Sequence, residues 1–279
     1  MIKGDTRVHS LFGSPVAHSL SPVIFNMTFQ KLSLNRTYIP FEVAKDKLSH
    51  AVEAARTLEF DGFNVTMPLK TAIPEMLDDL DKSAREAGAV NIVTRAKGGL
   101  VGYNTDGEGA IRALESYGFE PAGKRIVIIG SGGAARSLVH KLTNGKNAIK
   151  ILNRTIDNAR KLVEIVAGQS DITYDLLGKQ SFLNSLAETD LLVNATPART
   201  TTLMSQYSIS LDRLKEVDWV FDLSYEELGE PMPLSINTIS PLEMLLQQAA
   251  LSYEIWLKDK APLSLMRSSL VNYLGKDWK

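Results

Sequence analysis

The stretch Arg125-Ile126-Val127-Ile128-Ile129-Gly130-Ser131-Gly132-Gly133-Ala134-Ala135-Arg136-Ser137-Leu138-Val139-His140-Lys141-Leu142 decides how this chain is read. Its first five residues form the most uniformly β-branched run in the sequence, a strand by propensity. Glycines follow at once, and Ser137 to Leu142 has helix-like spacing. The pattern G-x-G-x-x-A between a strand and a helix is a dinucleotide-binding signature, whereas an isolated glycine cluster more often marks an ordinary turn. Gly130 permits the tight turn, Gly132 lets the backbone approach a pyrophosphate, and Ala135 keeps the helix close to the strand. Ser131, Gly133 and Ala134 complete a loop whose N–H groups and helix dipole face the phosphates.

Outward from this turn, Ile149 to Leu152, Leu191 to Asn194 and Val220 to Leu223 are apolar on consecutive positions. Strands covered on both faces have that pattern. About twenty residues past the glycines, where an acid would meet the ribose hydroxyls of NAD, stands Asn153-Arg154-Thr155. An acid repels a 2′-phosphate and Arg154 attracts one, which favours NADP. The alternative, that Arg154 is solvated and Asp157 supplies the carboxylate, stays open at this stage.

The N-terminal region alternates β-rich runs (Val8 to Phe12, Tyr38 to Val43, Gly62 to Val65) with amphipathic helical ones, as βαβ units do. Ser21 followed by Pro22 predicts a helix N-cap, and a second helix start is expected at Pro68. Gly98-Gly99 predicts a turn between strands near Val90 to Thr94 and Leu100 to Tyr103, and the helix after Asp106 should end at Gly118. Glu120 to Lys124, with Pro121 and Gly123, reads as a domain boundary or as a short connector within one sheet. After Pro241 a helical stripe runs through Leu242, Leu245, Leu246, Ala249, Ala250 and Tyr253.

A length of 279 residues suits two domains at roughly 150 residues each. With 44% hydrophobic and 23% charged residues, the composition excludes long disorder and rods. Thirty-one basic and 32 acidic residues leave a charge of −1, so no global field recruits nucleic acid or an anionic membrane. Zero cysteines exclude thiol chemistry and thiolate zinc sites. His9, His18, His50 and His140 lack metal-ligand spacing, and no metal is expected. The N-terminus has no apolar signal core and no apolar run spans a bilayer, so a cytoplasmic location is expected.

Polar side chains gather at predicted element ends. These are Ser19 and Ser21, then Asn64, Thr66 and Lys70, then Asn91, then Asn104, Thr105 and Asp106. Ends of strands in α/β sheets are where ligands bind, and this set could read a small polyhydroxylated acid. Each residue alone is also an ordinary cap, turn or surface residue.

The motifs taken together resemble the shikimate dehydrogenase family. They are Gly13-Ser14-Pro15-Val16, Ser19-Leu20-Ser21-Pro22, Asn64-Val65-Thr66-Met67-Pro68-Leu69-Lys70, Ala89-Val90-Asn91 and Asn104-Thr105-Asp106-Gly107, followed by the glycine loop, Asn153-Arg154-Thr155, Asn194-Ala195-Thr196 and Met244-Leu245 with Gln248. The resemblance implies an α/β chain with an N-terminal βαβ substrate domain (1–106 and 240–279) and a Rossmann-type doubly wound NADP domain (107–239), the C-terminal helices returning to the first. It implies that Ser19 and Ser21 hold a substrate carboxylate and that Asn64, Thr66, Asn91, Asp106 and Gln248 hold ring hydroxyls, with Tyr225 a further contact. Lys70 and Asp106 would be the catalytic pair; Gly130 to Ala134, Asn153, Arg154, Thr155 and Thr196 would hold the cofactor. The implied reaction is reversible reduction of 3-dehydroshikimate to shikimate by NADPH, in a monomer or homodimer whose partners are small molecules.

The chain departs from the family pattern in three places. Asn194-Ala195-Thr196-Pro197-Ala198-Arg199 replaces N-A-T-S-x-G-M and stiffens that loop with Pro197. Glu226-Glu227-Leu228 follows Tyr225 in place of the usual prolines, and Ser240-Pro241 stands where a glycine is common. Two rivals accompany the expectation: a quinate or shikimate dehydrogenase relative preferring NAD, and a catalytically silent dinucleotide-sensing member.

Overall fold

The computed structural model describes residues 2–166, 171–223, 232–233 and 235–278. In chain order the elements are β1 (Arg7–Gly13), α1 (Ser21–Lys31), β2 (Arg36–Glu42), α2 (Leu48–Thr57), β3 (Gly62–Val65), β4 (Asp79–Leu80), α3 (Lys82–Ala87), β5 (Ile92–Ala96), β6 (Gly99–Tyr103) and α4 (Asp106–Ser116). There follow β7 (Arg125–Ile129), α5 (Gly133–Thr143), β8 (Ala148–Asn153), α6 (Ile156–Ile165), β9 (Asp171–Leu176), α7 (Lys179–Leu186), β10 (Thr189–Asn194), α8 (Thr200–Gln206), β11 (Val217–Asp222), β12 (Thr238–Ile239), α9 (Pro241–Leu257) and α10 (Leu263–Leu274). The chain divides into two compact units, Met1–Gly109 with Leu245–Lys279, and Ala110–Met244. Glu120 to Lys124 lies inside the second unit, as a connector leading into β7.

The second unit has the strand order β12-β11-β10-β7-β8-β9, every pairing parallel. Counted from β7 this is 6-5-4-1-2-3, the doubly wound dinucleotide-binding topology. The consecutive apolar residues of β7 are explained by it. Ile126 and Ile128 pack with Leu138 and Leu142 of α5 and Leu162 of α6, while Val127 and Ile129 pack with Phe182 of α7 and Met204 of α8. Each such side chain, when fully buried, contributes about 2 kcal/mol. Three strands lack a sequence signal. β4 and β12 have two residues each, and β9 is an edge strand, largely exposed, with Asp171 and Asp175 breaking the apolar run.

The first unit is built on a mixed sheet, β2-β1-β3-β5-β6-β4. β1 runs parallel to β2 and β3, then β5 is antiparallel to both β3 and β6. The antiparallel pairing of β5 with β6 follows from the two-residue link Lys97-Gly98, which leaves no length for a crossover helix, and Gly99 enters β6 at φ +120°. The sheet is covered by a core that includes Phe12, Leu48, Val52, Phe63, Leu69 and Ile73.

Two local expectations need correction. Ser21 is not the cap of α1 but its first helical residue. Leu20 holds the cap position, and the Ser19 hydroxyl accepts the Ser21 N–H at 3.3 Å. No α-helix starts at Pro68: the segment forms turns and then a single 3-10 turn, Ile73–Met76. Pro74 explains this, since it offers no N–H and its ring clashes with the preceding turn of an α-helix.

At the opposite end of β1 from its loop, Asp61 pairs with Arg7 at 2.8 Å and with Arg36 at 2.7 Å. Arg36 also reaches His9 Nε2 at 2.7 Å. A guanidinium can only donate, so that nitrogen accepts and the neutral ring carries its proton on Nδ1. Burial and, second, the Arg36 charge push the His9 pKa down to about 3. Trp256 lies 4.5 Å from the imidazole, ring centre to ring centre.

Candidate active site

Strand direction gathers the first unit's candidates. β1 and β3 are parallel and end together, at Gly13 and Val65, whereas β5 is antiparallel and begins there, with Asn64 opposite Ile92. β6 returns to the same edge, with Tyr103 opposite Ile92. The motifs after β1, after β3, before β5 and after β6 therefore share one sheet edge. The backbone seals the arrangement: Ser14 N donates to Met67 O at 2.9 Å, Val90 N to Lys70 O at 2.8 Å and Asn91 N to Tyr103 O at 3.0 Å.

At this edge the Lys70 ammonium donates to Asp106 Oδ2 at 2.6 Å. The Asp106 side chain is 2% exposed and that of Lys70 is 18% exposed. The other carboxylate oxygen accepts from Asn91 Nδ2 at 2.8 Å. Asp106 heads α4, where its charge meets the positive end of the helix dipole, and its N–H donates to Asn104 Oδ1 at 3.0 Å. Asn91 is in turn fixed by Thr105, whose N–H donates to Asn91 Oδ1 at 2.9 Å. Gln248 Oε1 lies 3.4 Å from Asn91 Nδ2, bringing α9 to the cluster.

Asn64 is buried nearby and tied to Asn91 through the latter's carbonyl at 3.2 Å. Thr66 follows it, its N–H donating to Phe12 O at 2.9 Å. Ser19 and Ser21 stand apart from the Lys70 network, with no hydrogen bond to it among the described residues. Tyr225 lies outside the described residues. Sequence reading missed Tyr38 and Ser252, both of which hydrogen-bond the Asn64 side chain. Tyr38 sat unmarked in an apolar strand run; Ser252 was within reach of the pattern, being one turn beyond Gln248 on one helix face.

In the second unit the parallel strands β7, β8, β10 and β11 end on one edge, at Ile129, Asn153, Asn194 and Asp222. Gly130 adopts φ +111°, and a Cβ there would press on the Ala195 carbonyl and Thr196. The glycine turn and the Thr196 loop thus touch at the point where strand order reverses, between β7 and β10, the place where such sheets bind ligands. Gly132 has φ −71° and its Cβ position is open, with no heavy atom within 4 Å. Ala135 is fully buried, as close packing of α5 on β7 requires. Ser131 accepts from Arg136 Nε at 3.3 Å; Gly133 and Ala134 open α5.

After β8, Asn153 donates to Thr155 O at 2.8 Å, holding the turn around Arg154. Arg154 is exposed and has no hydrogen-bond or ion-pair partner among the described residues. Asp157, by contrast, is paired with Arg160 at 3.3 Å. The Pro197 loop is pinned from below. Thr196 donates to Asn194 Oδ1 at 2.8 Å, Asn194 to Asp222 Oδ1 at 2.9 Å, and the Thr200 hydroxyl to that same oxygen at 2.6 Å. Burial pushes the Asp222 pKa up, against the pull of these donors.

Among the described residues no group of three or more His, Cys, Asp or Glu side chains could hold a metal ion, and no helix is long and apolar enough to cross a membrane.

The chain is similar to known proteins over nearly its whole length. The chain matches a shikimate dehydrogenase substrate binding domain over residues 11–93, a shikimate/quinate 5-dehydrogenase domain over residues 113–225 and a shikimate 5′-dehydrogenase C-terminal domain over residues 242–271. It is 38% identical to the shikimate dehydrogenase (NADP(+)) of Methanopyrus kandleri, with 98% of each chain covered. A crystal structure of a shikimate dehydrogenase in complex with NADP+ superposes with a TM-score of 0.84 at 32% identity, covering 98% of this chain and 97% of that one. Shikimate 5-dehydrogenase from Listeria monocytogenes, in complex with shikimate and NAD, gives 0.82 at 33% identity, covering 96% and 98%. With full-length identity of this order, three matching domains in the same order and the same fold, the chain belongs to the shikimate dehydrogenase family.

Proposed function

We propose that this protein is an NADP-dependent shikimate dehydrogenase, catalysing the reversible reduction of 3-dehydroshikimate to shikimate on the way to chorismate and the aromatic amino acids. The observation that carries the proposal is the Lys70–Asp106 pair, 2.6 Å apart at the edge where the first unit's polar motifs meet. The first unit takes the substrate and the second the dinucleotide. The enzyme works in the cytoplasm on small molecules, as a monomer or homodimer, without nucleic-acid or membrane partners.

The residues of the second unit suit a phosphorylated dinucleotide. Gly132 leaves open backbone where a pyrophosphate approaches, Gly130, Ser131, Gly133 and Ala134 supply the turn and helix start, and Thr196 borders it. Asn153, Arg154 and Thr155 close the ribose side. Arg154 is uncommitted and available to a 2′-phosphate, whereas Asp157 is engaged by Arg160, which favours NADP over NAD. Bound there, the cofactor supplies the hydride that the ketone carbon accepts.

The chain's own residues handle the charge and the proton. As the ketone oxygen gains negative charge, the Lys70 ammonium stabilises it and delivers a proton from Nζ. Asp106 keeps that ammonium in place, its second oxygen held by Asn91. In the reverse direction the neutral Lys70 amine takes the hydroxyl proton. Ser19 and Ser21 hold the substrate carboxylate; Asn64, Thr66, Asn91, Asp106, Gln248 and Tyr225 hold its hydroxyls. The test is turnover by the purified protein with NADPH and 3-dehydroshikimate. Binding of NADPH with no turnover would instead favour the silent family member.

A further inference from the structure

Asn64 sits in β3 between β1 and β5, 7% exposed, and its side-chain amide has three partners. Nδ2 donates to the Asn91 carbonyl at 3.2 Å and to Ser252 Oγ at 3.0 Å, and Oδ1 accepts from the Tyr38 hydroxyl at 2.9 Å. The chemistry of the partners leaves one way round. A backbone carbonyl only accepts, so the atom facing Asn91 O must be the NH2. Ser252 gives its own proton to the Gln248 carbonyl at 3.0 Å, so a lone pair faces Asn64 and takes the second N–H. Both amide hydrogens are then consumed inside the protein, and Tyr38 donates to one lone pair of Oδ1. One lone pair remains.

The Tyr38 hydroxyl is itself held firmly. Its ring stacks on Phe25 at 4.7 Å and 16°, with Trp256 at 6.2 Å. Its backbone is clamped by Asn26 of α1, which donates to Tyr38 O at 2.9 Å and accepts Tyr38 N at 2.8 Å.

We propose that Tyr38 and Ser252 are positioning residues that lock the Asn64 amide in one orientation, so that Asn64 meets a ligand as a hydrogen-bond acceptor and selects a hydroxyl donor at that point of the substrate. The inference deepens the shikimate dehydrogenase reading and rests on it. A hydroxyl satisfies the remaining lone pair; a carbonyl or a hydrogen at the same place leaves it unpaired.

The test compares the enzyme with Tyr38→Phe on shikimate and on its two mono-deoxy analogues, each lacking one of the ring hydroxyls that do not react. In the unchanged enzyme, deleting the hydroxyl that Asn64 reads lowers kcat/KM about tenfold or more. In Tyr38→Phe that penalty shrinks to about threefold, because Oδ1 loses the donor that holds it in register with that hydroxyl, while the penalty for deleting the other hydroxyl is unaltered. KM for shikimate rises and kcat stays within about threefold. Ser252→Ala, a smaller deletion, gives the same selective pattern and serves if Tyr38→Phe does not fold. Equal losses on shikimate and both analogues would mean a general packing role and overturn the proposal, as would no change at all. Absence of shikimate oxidation by the unchanged enzyme would overturn the function itself, a separate outcome.

Discussion

The candidate sites of the two units are built in opposite ways. In the first, the candidate site is made of side chains already bonded to one another: Lys70 to Asp106, Asp106 to Asn91, Asn91 to Thr105, and Asn64 to Tyr38 and Ser252. In the second, the site is made of backbone and missing side chains, with Gly132 open and Arg154 uncommitted. A site that performs chemistry needs preorganised charge, which side chains fixed by several partners supply. A site that holds a pyrophosphate needs N–H groups and close approach, which glycine supplies.

The largest effect expected from breaking this contrast is at Lys70. Lys70→Ala removes the proposed proton donor and should lower kcat about a thousandfold, by the usual worth of general acid catalysis, with NADPH affinity unchanged in a fluorescence titration. A comparable loss of NADPH affinity would show that the two sites are not separable in this way. Next, Gly132→Val places a side chain in open space at an ordinary φ, so the melting temperature should hold. NADPH affinity should nevertheless fall about a hundredfold, the cost of roughly 3 kcal/mol for a steric obstacle in a tight contact. Arg154→Ala should weaken NADPH about tenfold, one charge-assisted hydrogen bond, and leave NADH within about twofold; equal losses would favour a merely solvated arginine.

A further test reads stability rather than activity and sharpens the picture of the first unit's frame, at a distance from its chemistry. His9 is neutral in the fold, with its pKa pushed down to about 3, and ionises near 6.5 when unfolded. Between those values the unfolded chain binds more protons, so stability is complete above pH 6.5 and drains as pH falls toward 3. His9→Gln keeps an acceptor for Arg36 and should flatten the urea-denaturation free energy against pH by up to about 1.4 kcal/mol per unit in that window. An unaltered slope would mean the imidazole is not held neutral.

The same contrast governs what could be read without a structure. The glycine turn is local: strand, Gly130, Gly132 and α5 are contiguous, a β-branched run announced β7, and consecutive apolar residues announced β8, β10 and β11. The edge strand β9 escaped because solvent covers most of it and polar residues cost nothing there. In the first unit, Lys70, Asn91 and Asp106 were legible as residue types at element ends and as motifs of a family. Their contacts were not, because separations of 14 to 157 residues are closed only by the antiparallel turn of β5 and β6 and by α9. Tyr38 and Ser252 carry no motif; they matter through what Asn64 already spends on them. Pro68 misled because a good helix start was followed by Pro74.

The central claim is tested most directly by following reduced nicotinamide absorbance with the purified protein and 3-dehydroshikimate, using NADPH and NADH in turn, and repeating with 3-dehydroquinate. Rapid turnover with NADPH and 3-dehydroshikimate, slower with NADH and slower with 3-dehydroquinate, is the predicted result. Equal or faster turnover with NADH, or a preference for 3-dehydroquinate, would contradict it.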